Sequence, residues 1–138
     1  MKDDVFCLII AGEIPCTKVY EDEDVLAILD ISQATRGHTL VMPKEHYDDM
    51  LHCPAELMHR VYDVAQKIGQ AQMRALGANG VNILSNVGEA SGQSIKHFHV
   101  HVIPRYDHEV GGFEITMKSH NTESWDLLRI ATSIIEEF

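Results

Sequence analysis

The sequence contains few cysteines and no long apolar run, and each shortage excludes a class of protein. Its three cysteines, Cys7, Cys16 and Cys53, are odd in number and widely spaced, which argues against a disulfide framework and for a reducing compartment. No apolar run approaches the roughly 20 residues that a membrane-spanning helix needs. The apolar stretch at residues 5–11 lacks the cleavage site and the second basic residue of a signal peptide. We therefore expect a cytoplasmic protein with no membrane partner.

Basic residues are also scarce. Lysine and arginine together number 11, against 21 aspartates and glutamates, and the formal net charge is −10. The basic residues are scattered and form no stripe, whereas a nucleic-acid backbone requires clustered lysine and arginine. A nucleic acid polymer is therefore not expected as a partner. A small anion is not excluded, because backbone N–H groups and histidines can bind one whatever the global charge.

The composition is otherwise that of an ordinary globular protein. The chain has 138 residues, of which 45% are apolar and 23% charged, and this suffices for a single domain over residues 1–138 with its own core. Apolar patterns and turn signals predict five strands, at residues 18–21, 25–29, 38–42, 80–84 and 97–103. Further patterns predict a short helix at 5–11, a long helix at 54–77 and a closing helix around 127–135. Strands joined by short turns, with separate helices, indicate an α+β domain on an antiparallel sheet.

The most informative stretch is the histidine run at residues 97–101, HFHVH. Side chains alternate between the two faces of a strand, so His97, His99 and His101 share one face while Phe98 and Val100 point into the core. Neighbouring residues on one face lie roughly 6.5–7 Å apart along a strand.

Three interpretations of this run are open. The histidines are polar residues on the wet face of an amphipathic strand, or ligands of a metal, or catalysts of covalent chemistry on phosphorus. An HxH pair on a strand can share one zinc, but the first and third rings are too far apart to bind one ion without bending. A neutral imidazole is a good nucleophile near pH 7, and the middle ring has a helper on each side.

The loop at residues 86–94 favours the third interpretation. It contains Gly88 and Gly92 and several small hydrogen-bonding side chains, including Ser94. Glycines let backbone N–H groups approach an anion closely. Next to three histidines on one face, this loop predicts a phosphate cradle that delivers phosphorus to His99.

These residues resemble the histidine-triad (HIT) family of nucleotide-binding proteins, whose signature is His-φ-His-φ-His-φ-φ with φ apolar. The signature is complete here at residues 97–103, HFHVHVI. Upstream blocks also fit, in order and at suitable spacing: GEIP at 12–15, VYED at 19–22, LDIS at 29–32, GHTLVMP at 37–43 and GQS at 92–94. Asp30 within LDIS and the compact length make the chain similar to the smaller members, the bacterial Hit and nucleotide-binding branch.

The resemblance implies a fold and a reaction. The fold is an α+β, HIT-like domain with a five-stranded antiparallel sheet, one long helix and one or two shorter ones, and a homodimer that extends the sheet. The reaction is attack by His99 on the α-phosphorus of a purine nucleoside phosphoramidate or dinucleoside polyphosphate, through a nucleotidyl-histidine intermediate that water resolves. A nucleotide-binding regulatory or partner-binding protein with incidental hydrolysis is the alternative, and a zinc-dependent hydrolase is a third.

The resemblance also assigns roles to individual residues. His97 orients His99 through its backbone carbonyl, His101 bonds a phosphate oxygen, and His38 supports the triad. The implied nucleotide-binding residues are Asp30 for the ribose hydroxyls and, for the phosphates and leaving group, Asn86, Gly92, Gln93 and Ser94.

No cofactor is required for this chemistry, since imidazoles and backbone donors can neutralise the phosphate oxygens. Some bacterial members of the family nevertheless bind a structural zinc through a Cys-x-x-Cys pair, a later histidine and the first histidine of the triad. The matching residues here are Asp4, Cys7, His46 and His97. An aspartate replaces the first cysteine; it can ligate zinc, but loss of a thiolate weakens a structural site. Both a zinc-bound and a zinc-free protein are compatible with this set.

Overall fold

The computed structural model describes residues 4–108 and 119–138. Its helices and strands are, in chain order, α1 (Val5–Ile10), β1 (Lys18–Glu21), β2 (Val25–Leu29), β3 (Thr39–Pro43), α2 (Ala55–Leu76), β4 (Gly80–Leu84), β5 (Val100–Arg105) and α3 (Leu127–Ile135). Two short 3₁₀ turns lie at Met50–His52 and Glu89–Ser91. Within the described residues, no helix combines the length and the apolar character needed to cross a membrane.

The five strands form one antiparallel sheet in the order β1-β2-β3-β5-β4. The predicted α+β class and five-stranded antiparallel sheet are confirmed. The β1–β2 hairpin depends on Asp22, whose carboxylate accepts the backbone N–H groups of Asp24 and Val25 at 2.8 Å each. This local hydrogen bonding is the reason that aspartate is favoured in turns.

Helix α2 covers one face of the sheet. It begins directly after Pro54, whose missing N–H costs nothing at a helix start. It ends at Gly77, whose φ of 69° gives the left-handed cap that glycine adopts without strain. Its apolar stripe and the sheet residues that face it form one buried cluster: Val25, Ala27, Val41, Val61, Val64, Ala65, Ile68, Phe98, Val100 and Val102.

The opposite face of the sheet carries helix α1 and a second buried cluster. This cluster consists of Phe6, Leu26, Ile28, Leu40 and Met42. Because successive residues of a strand point to opposite faces, β2 and β3 supply side chains to both clusters. Consequently every residue of β3 is buried. A cavity opens beside α1 on this face.

The fifth strand begins three residues later than the sequence predicts. β5 runs from Val100 to Arg105, so Pro104 lies inside the strand and does not end it. On the β3 side the pairing stops at Val102, so the missing N–H of Pro104 breaks no hydrogen bond of that ladder.

His97 and His99 consequently precede the strand. The N–H of Phe98 donates to the carbonyl of Tyr47 at 2.7 Å, outside the sheet, and this bond holds the segment away from the β3 ladder. The predicted alternation survives, because Phe98 still packs against α2 with Val100 while the histidine rings lie on the other side.

Two smaller differences concern β3 and α3. The third strand begins at Thr39, one residue after the predicted start, and it includes Pro43. Helix α3 forms where it was predicted, but it does not close the core, because none of its residues is buried and Leu128 is 78% exposed.

Candidate active site

A cavity of about 820 Å³ opens between α1 and the sheet. Its walls are largely apolar, and its polar groups lie toward β5. The lining residues are Val5, Phe6, Ile9, Ile14, Pro15, Cys16, Thr17, Ile28, Leu29, Asp30, Ile31, Ser32, Gln33, Leu40, Ser94, Ile95, His99 and His101. Four of the residues that the sequence implicates therefore share one cavity: Asp30, Ser94, His99 and His101. An apolar cleft with a few convergent polar groups is the usual form of a small-molecule site.

His99 is oriented by the backbone of its own segment. Its Nδ1 lies 2.7 Å from the carbonyl oxygen of His97, and since a carbonyl only accepts, Nδ1 carries the proton. The other ring nitrogen, Nε2, therefore holds the lone pair. Burial lowers the pKa of His99 and outweighs the hydrogen bond to the His97 carbonyl, which raises it, so the ring is neutral near pH 7. A neutral imidazole with a defined lone pair, at the wall of a cavity, is a competent nucleophile.

His101 takes the opposite tautomer, which a chain of two hydrogen bonds fixes. The backbone N–H of Ala34 donates to His38 Nδ1 at 3.1 Å, so the proton of neutral His38 is on Nε2. That Nε2 lies 2.9 Å from His101 Nδ1 and donates to it. His101 therefore carries its own proton on Nε2 and is a hydrogen-bond donor. Burial, with smaller effects of His99 and His38, lowers the pKa of His101 to about 4, so it donates as a neutral ring.

His97 does not line the cavity. Its ring is fully buried, and its Nε2 donates to the carbonyl of Pro43 at 2.9 Å. The lone pair of the ring is consequently on Nδ1, which points to Asp4 and Cys7 at 3.3 and 3.6 Å. The backbone carbonyl of His97 thus accepts the hydrogen bond from His99, while the His97 side chain belongs to a second cluster of residues.

This second cluster brings together the four residues that the resemblance matches to zinc ligands. The ligating atoms of Asp4, Cys7, His46 and His97, which we call the metal quartet, all lie within 4.8 Å of one another. Cys7 Sγ lies 3.2 Å from Asp4 Oδ2 and 3.6 Å from His46 Nδ1. A tetrahedral zinc with bonds of 2.0–2.3 Å would separate its ligands by about 3.3–3.8 Å. The distances from Cys7 fit such an ion closely, whereas His46 Nδ1 and Asp4 Oδ2, 2.8 Å apart, would have to separate to admit it.

The tautomers of the quartet also fit a metal. His46 Nε2 faces Asp48 Oδ1 at 2.8 Å, and its Nδ1 faces Asp4 Oδ2 at the same distance. With the ring proton kept on Nε2, Nδ1 would offer its lone pair to a metal, as in His97. A carboxylate behind a ligating histidine is the usual support of a zinc site. Burial alone would raise the pKa of Asp4, but hydrogen bonds from the backbone and side chain of Cys7 outweigh it and hold that pKa below its ordinary value. Asp4 is thus available as an anion.

A second group, Asp30, His38 and His101, also has ligating atoms within 4.8 Å, but it does not fit a metal. The lone pair of His38 Nδ1 is taken by the N–H of Ala34. A metal on His38 Nε2 would move the ring proton to Nδ1, directly against this backbone donor. The hydrogen-bond chain from Ala34 to His101 therefore assigns these histidines to proton positioning.

Three residues of the predicted phosphate cradle, Asn86, Gly92 and Gln93, do not line the cavity. Gln93 is buried, its Oε1 accepts the N–H of Gly88 at 2.8 Å, and its Nε2 donates to the carbonyls of Asp48 and Ile95 at 2.7 and 3.0 Å. Gln93 therefore stabilises the 86–94 loop through hydrogen bonds made outside the cavity. The phosphate contacts assigned to these three residues stay predictions.

The cavity wall that α1 supplies was not predicted from the sequence. Val5, Phe6 and Ile9 line the cavity, and the ring of Phe6 packs edge-on against His99 with centroids 4.9 Å apart. The spacing of these three residues on one side of a helix was the available signal. It showed that α1 has an apolar side, but it could not show which part of the fold lies against it.

The fold and the site together define a class of protein. In one antiparallel α+β domain, a neutral His99 with its lone pair on Nε2 and a neutral His101 with its proton on Nε2 line the same cavity. A HIT domain model matches residues 11–108. Protein hit of Bacillus subtilis (strain 168) is 46% identical over 132 residues, covering 94% of this chain and 90% of that protein. This chain belongs to the HIT family, as the sequence predicts.

Solved structures agree with this assignment. A HIT family protein from Bacillus subtilis matches with a TM-score of 0.89 at 43% identity, covering 99% of this chain and 98% of that one. A zinc-bound histidine triad family protein from Mycobacterium smegmatis matches with a TM-score of 0.75 at 40% identity, covering 96% and 95%.

Two further relatives are named for an activity. An adenosine 5'-monophosphoramidase of Schizosaccharomyces pombe is 36% identical over 107 residues, covering 78% of this chain and 77% of that protein. An adenylylsulfatase of Arabidopsis thaliana is 38% identical over 120 residues, covering 87% of this chain and 61% of that protein.

The buried histidines should make stability depend on pH in a defined window. The pKa of His101 falls from 6.5 to about 4 on folding, so between these values the unfolded chain binds more protons than the folded one. The free energy of unfolding should therefore decrease as the pH is lowered from 7 toward 4. Urea titrations at several pH values should show that the free energy of unfolding decreases less for His101→Gln than for wild type. For His59→Gln, on the exposed side of α2, the decrease should equal that of wild type. An equal decrease in wild type and His101→Gln would contradict the assignment.

Proposed function

We propose that this chain is a nucleotide hydrolase or nucleotidyl transferase that cleaves at the α-phosphorus of purine nucleoside phosphoramidates or dinucleoside polyphosphates. The observation that carries the proposal is the geometry of His99. Its Nδ1 proton is fixed on the carbonyl of His97 at 2.7 Å, so the lone pair of Nε2 is the reactive group at the cavity wall.

In the first step, Nε2 of His99 attacks the α-phosphorus of the substrate. The bond from phosphorus to the leaving nitrogen or oxygen breaks, and the leaving group keeps its electron pair and takes up a proton from water. His99 becomes a positively charged nucleotidyl-imidazolium. Its Nδ1–H then donates more strongly to the His97 carbonyl, because hydrogen bonds from charged donors are stronger. This bond stabilises the intermediate more than the free enzyme, which is the requirement for catalysis.

In the second step, water attacks the same phosphorus and loses a proton, and the bond to Nε2 returns its electrons to His99. His101 assists both steps. Its Nε2–H donates to a phosphoryl oxygen as negative charge develops there. Because the pKa of His101 is about 4, this donor stays neutral near pH 7, and the Ala34–His38 chain keeps its proton on the correct nitrogen.

The cavity also supplies a place for the nucleoside. Asp30 lines it, and its Oδ1 accepts the backbone N–H of Ser32 at 2.8 Å, which fixes the carboxylate for the ribose hydroxyls. The apolar wall from α1 and residues 14–17 suits the faces of a purine. Ser94, the last residue of the 86–94 loop, lines the same cavity as His99 and would contact the phosphates.

The names of two relatives support an enzyme rather than a binding protein alone, since both describe activities on adenylyl compounds. The alternative, a nucleotide-binding regulatory or partner-binding protein with incidental hydrolysis, needs the same cavity. Binding alone does not require a fixed tautomer on His99 or His101, whereas covalent catalysis requires both. The protein would act in the cytoplasm, where its cysteine thiols stay reduced.

We further propose that the metal quartet holds a structural zinc. A zinc-bound relative is known from Mycobacterium smegmatis, and the quartet of this chain has suitable donors and tautomers. The ion would join α1 to the segment that precedes β5. None of the four residues lines the cavity, so its contribution would be to position Asp4, Cys7, His46 and His97, with the phosphorus chemistry left to the imidazoles.

We also propose that two copies associate through the β4 edge of the sheet. The other edge, β1, carries the charged residues Lys18 and Glu21, and charges on an edge strand discourage pairing. β4 carries no charge, and Ile83 on it is 46% exposed. On the adjoining α2, Met73 is 43% exposed. A second copy would cover this uncharged edge and its apolar neighbours.

Substitution of the nucleophile tests the reaction. His99→Ala should lower kcat/KM for adenosine 5'-phosphoramidate on the order of 10³-fold or more, because the covalent route is removed. Rapid quenching of wild type with labelled substrate should trap AMP on His99, and mass spectrometry should find none on the variant. The matched control, His59→Ala on the exposed side of α2, should behave like wild type. Retention of most activity by His99→Ala would refute covalent catalysis. Tight AMP binding without turnover of any phosphoramidate or dinucleotide would favour the regulatory alternative.

Zinc binding is tested by variants of the quartet. The apoprotein should take up one zinc per chain, measured by elemental analysis and by competition with a chelating dye. Cys7→Ser should bind zinc more weakly, whereas Asp4→Cys should bind it more tightly, because a thiolate is the better zinc ligand. Cys53→Ser removes a thiol outside the quartet and should change nothing. Equal zinc affinity in all four proteins would place the ion elsewhere.

The association is tested by adding a charge to each edge. Wild type should sediment as a dimer, and Ile83→Lys on β4 should shift it toward the monomer, since burying an unpaired lysine is costly. Val19→Lys on β1 is the matched control and should leave the dimer intact. A monomeric wild type, or a dimer broken only by the β1 variant, would contradict the proposal.

A further inference from the structure

We propose that metal binding at the quartet and nucleotide binding in the cavity are energetically linked, with Phe6 and Gln93 as positioning residues that carry the link. The proposal rests on the proposed function and adds a means of regulating its site. Three separate connections run from the quartet to the cavity, and each reaches a different part of the nucleotide site.

The first connection is helix α1. Asp4 caps this helix, since its Oδ1 accepts the N–H of Cys7 at 2.9 Å, while its other oxygen belongs to the quartet. A helix of six residues is not stable by itself, so its position depends on what holds it. The ring of Phe6 lies between the two histidines, with centroids 5.8 Å from His97 and 4.9 Å from His99. A metal that fixes α1 therefore also fixes the cavity wall and the packing of His99.

The second connection is His97 itself. Its ring donates to the carbonyl of Pro43 at 2.9 Å and presents Nδ1 to the quartet. Its backbone carbonyl accepts the proton of His99 Nδ1 at 2.7 Å. One residue therefore joins a metal ligand to the hydrogen bond that orients the nucleophile.

The third connection runs from His46 to the 86–94 loop. His46 Nε2 lies 2.8 Å from Asp48 Oδ1, and the backbone carbonyl of Asp48 accepts from Gln93 Nε2 at 2.7 Å. Gln93 in turn accepts the N–H of Gly88 through Oε1 at 2.8 Å. Ser94, the next residue, lines the cavity. A metal that fixes His46 therefore restrains the loop that faces the phosphates.

A restraint on three parts of a binding site lowers the ordering that the ligand must impose, and the ligand then binds more tightly. By linkage, the nucleotide must strengthen metal binding by the same factor. The aspartate in the quartet allows this link to act in regulation. A site with one thiolate binds zinc less tightly than a site with two, so the occupancy of the site can change with the zinc concentration.

The full chain is tested with and without zinc. AMP affinity is measured by calorimetry on the apoprotein and on protein with one equivalent of zinc, and zinc affinity by dye competition with and without saturating AMP. We expect AMP to bind roughly 5- to 50-fold more tightly to the zinc form, within the usual range of coupling between sites, and zinc affinity to rise by an equal factor. Equal AMP affinities in the two forms would overturn the proposal.

Variants separate the link from general stability. Gln93→Ala should keep its zinc affinity in the absence of AMP, because Gln93 touches no metal ligand, but the coupling factor should fall at least threefold. The matched control is Gln72→Ala, another buried glutamine, whose Nε2 donates to the carbonyls of Gly37 and Val102 away from the quartet. It should lose stability and retain the coupling factor. An equal fall of the coupling factor in both variants would refute the role of Gln93.

Phe6→Leu tests the connection through α1, and the conservative change keeps an apolar side chain there. It should also lower the coupling factor. Unlinked binding of zinc and AMP, together with trapping of AMP on His99, would refute this proposal and leave the proposed function standing. If AMP binds to neither form, the proposed function fails, and the link fails with it.

Discussion

The hydrogen bond from His99 Nδ1 to the carbonyl of His97 is the constraint on which the site depends. It fixes both the orientation and the tautomer of the ring. The lone pair of Nε2 is therefore available without a separate base to remove a proton from that nitrogen. The segment at residues 97–99 precedes β5 and lies outside the strand, and in this course the carbonyl of His97 reaches the ring of His99. The bond from Phe98 to the carbonyl of Tyr47 holds the segment in this irregular course.

Backbone groups set the proton positions of His97, His99 and His38 directly, and that of His101 through His38. A carbonyl places the proton on Nδ1 of His99, an amide excludes it from Nδ1 of His38, and the carbonyl of Pro43 places it on Nε2 of His97. Because backbone groups do not titrate, these assignments persist over a wide pH range. Burial then lowers the pKa of His99, His38 and His101, so the rings that face or support the cavity stay neutral. The proposed chemistry would therefore rely on neutral imidazoles, which is compatible with a chain whose formal net charge is −10.

One sheet separates two environments. The face under α2 is closely packed, and a Cβ added at Gly69 would already lie 3.7 Å from Val81 and 3.8 Å from Val102. The face under α1 is covered by only six helical residues, so part of it remains open as the cavity. A closely packed face opposite an incompletely covered one is a suitable base for a binding site, because Phe98 and Val100, which alternate with His99 and His101, are buried in the core under α2. The same arrangement makes the position of α1 important for the cavity, and the quartet includes Cys7 of α1 and Asp4, which caps this helix.

The sequence by itself determined the elements whose cause is local. The strands at 18–21, 25–29 and 80–84 and the helix between Pro54 and Gly77 lie where the patterns predict them, since turns, caps and apolar periodicity act over a few residues. The alternation of the histidine run likewise predicted that Phe98 and Val100 face the core while His99 faces a site. Family resemblance added the four residues of the quartet, which the structure does bring together.

The tertiary structure alone decided what depends on groups distant in the chain. Pairing with β3 and the carbonyl of Tyr47 set the start of β5 after the first two histidines, against the local pattern. Gln93 points away from the cavity because its side chain donates to the carbonyl of Asp48, 45 residues away in sequence. The cavity wall formed by α1 results from the packing of this helix on the face of the sheet opposite α2. Tautomers and pKa values belong to this group as well, because they depend on burial and on hydrogen-bond partners that only the folded chain assembles.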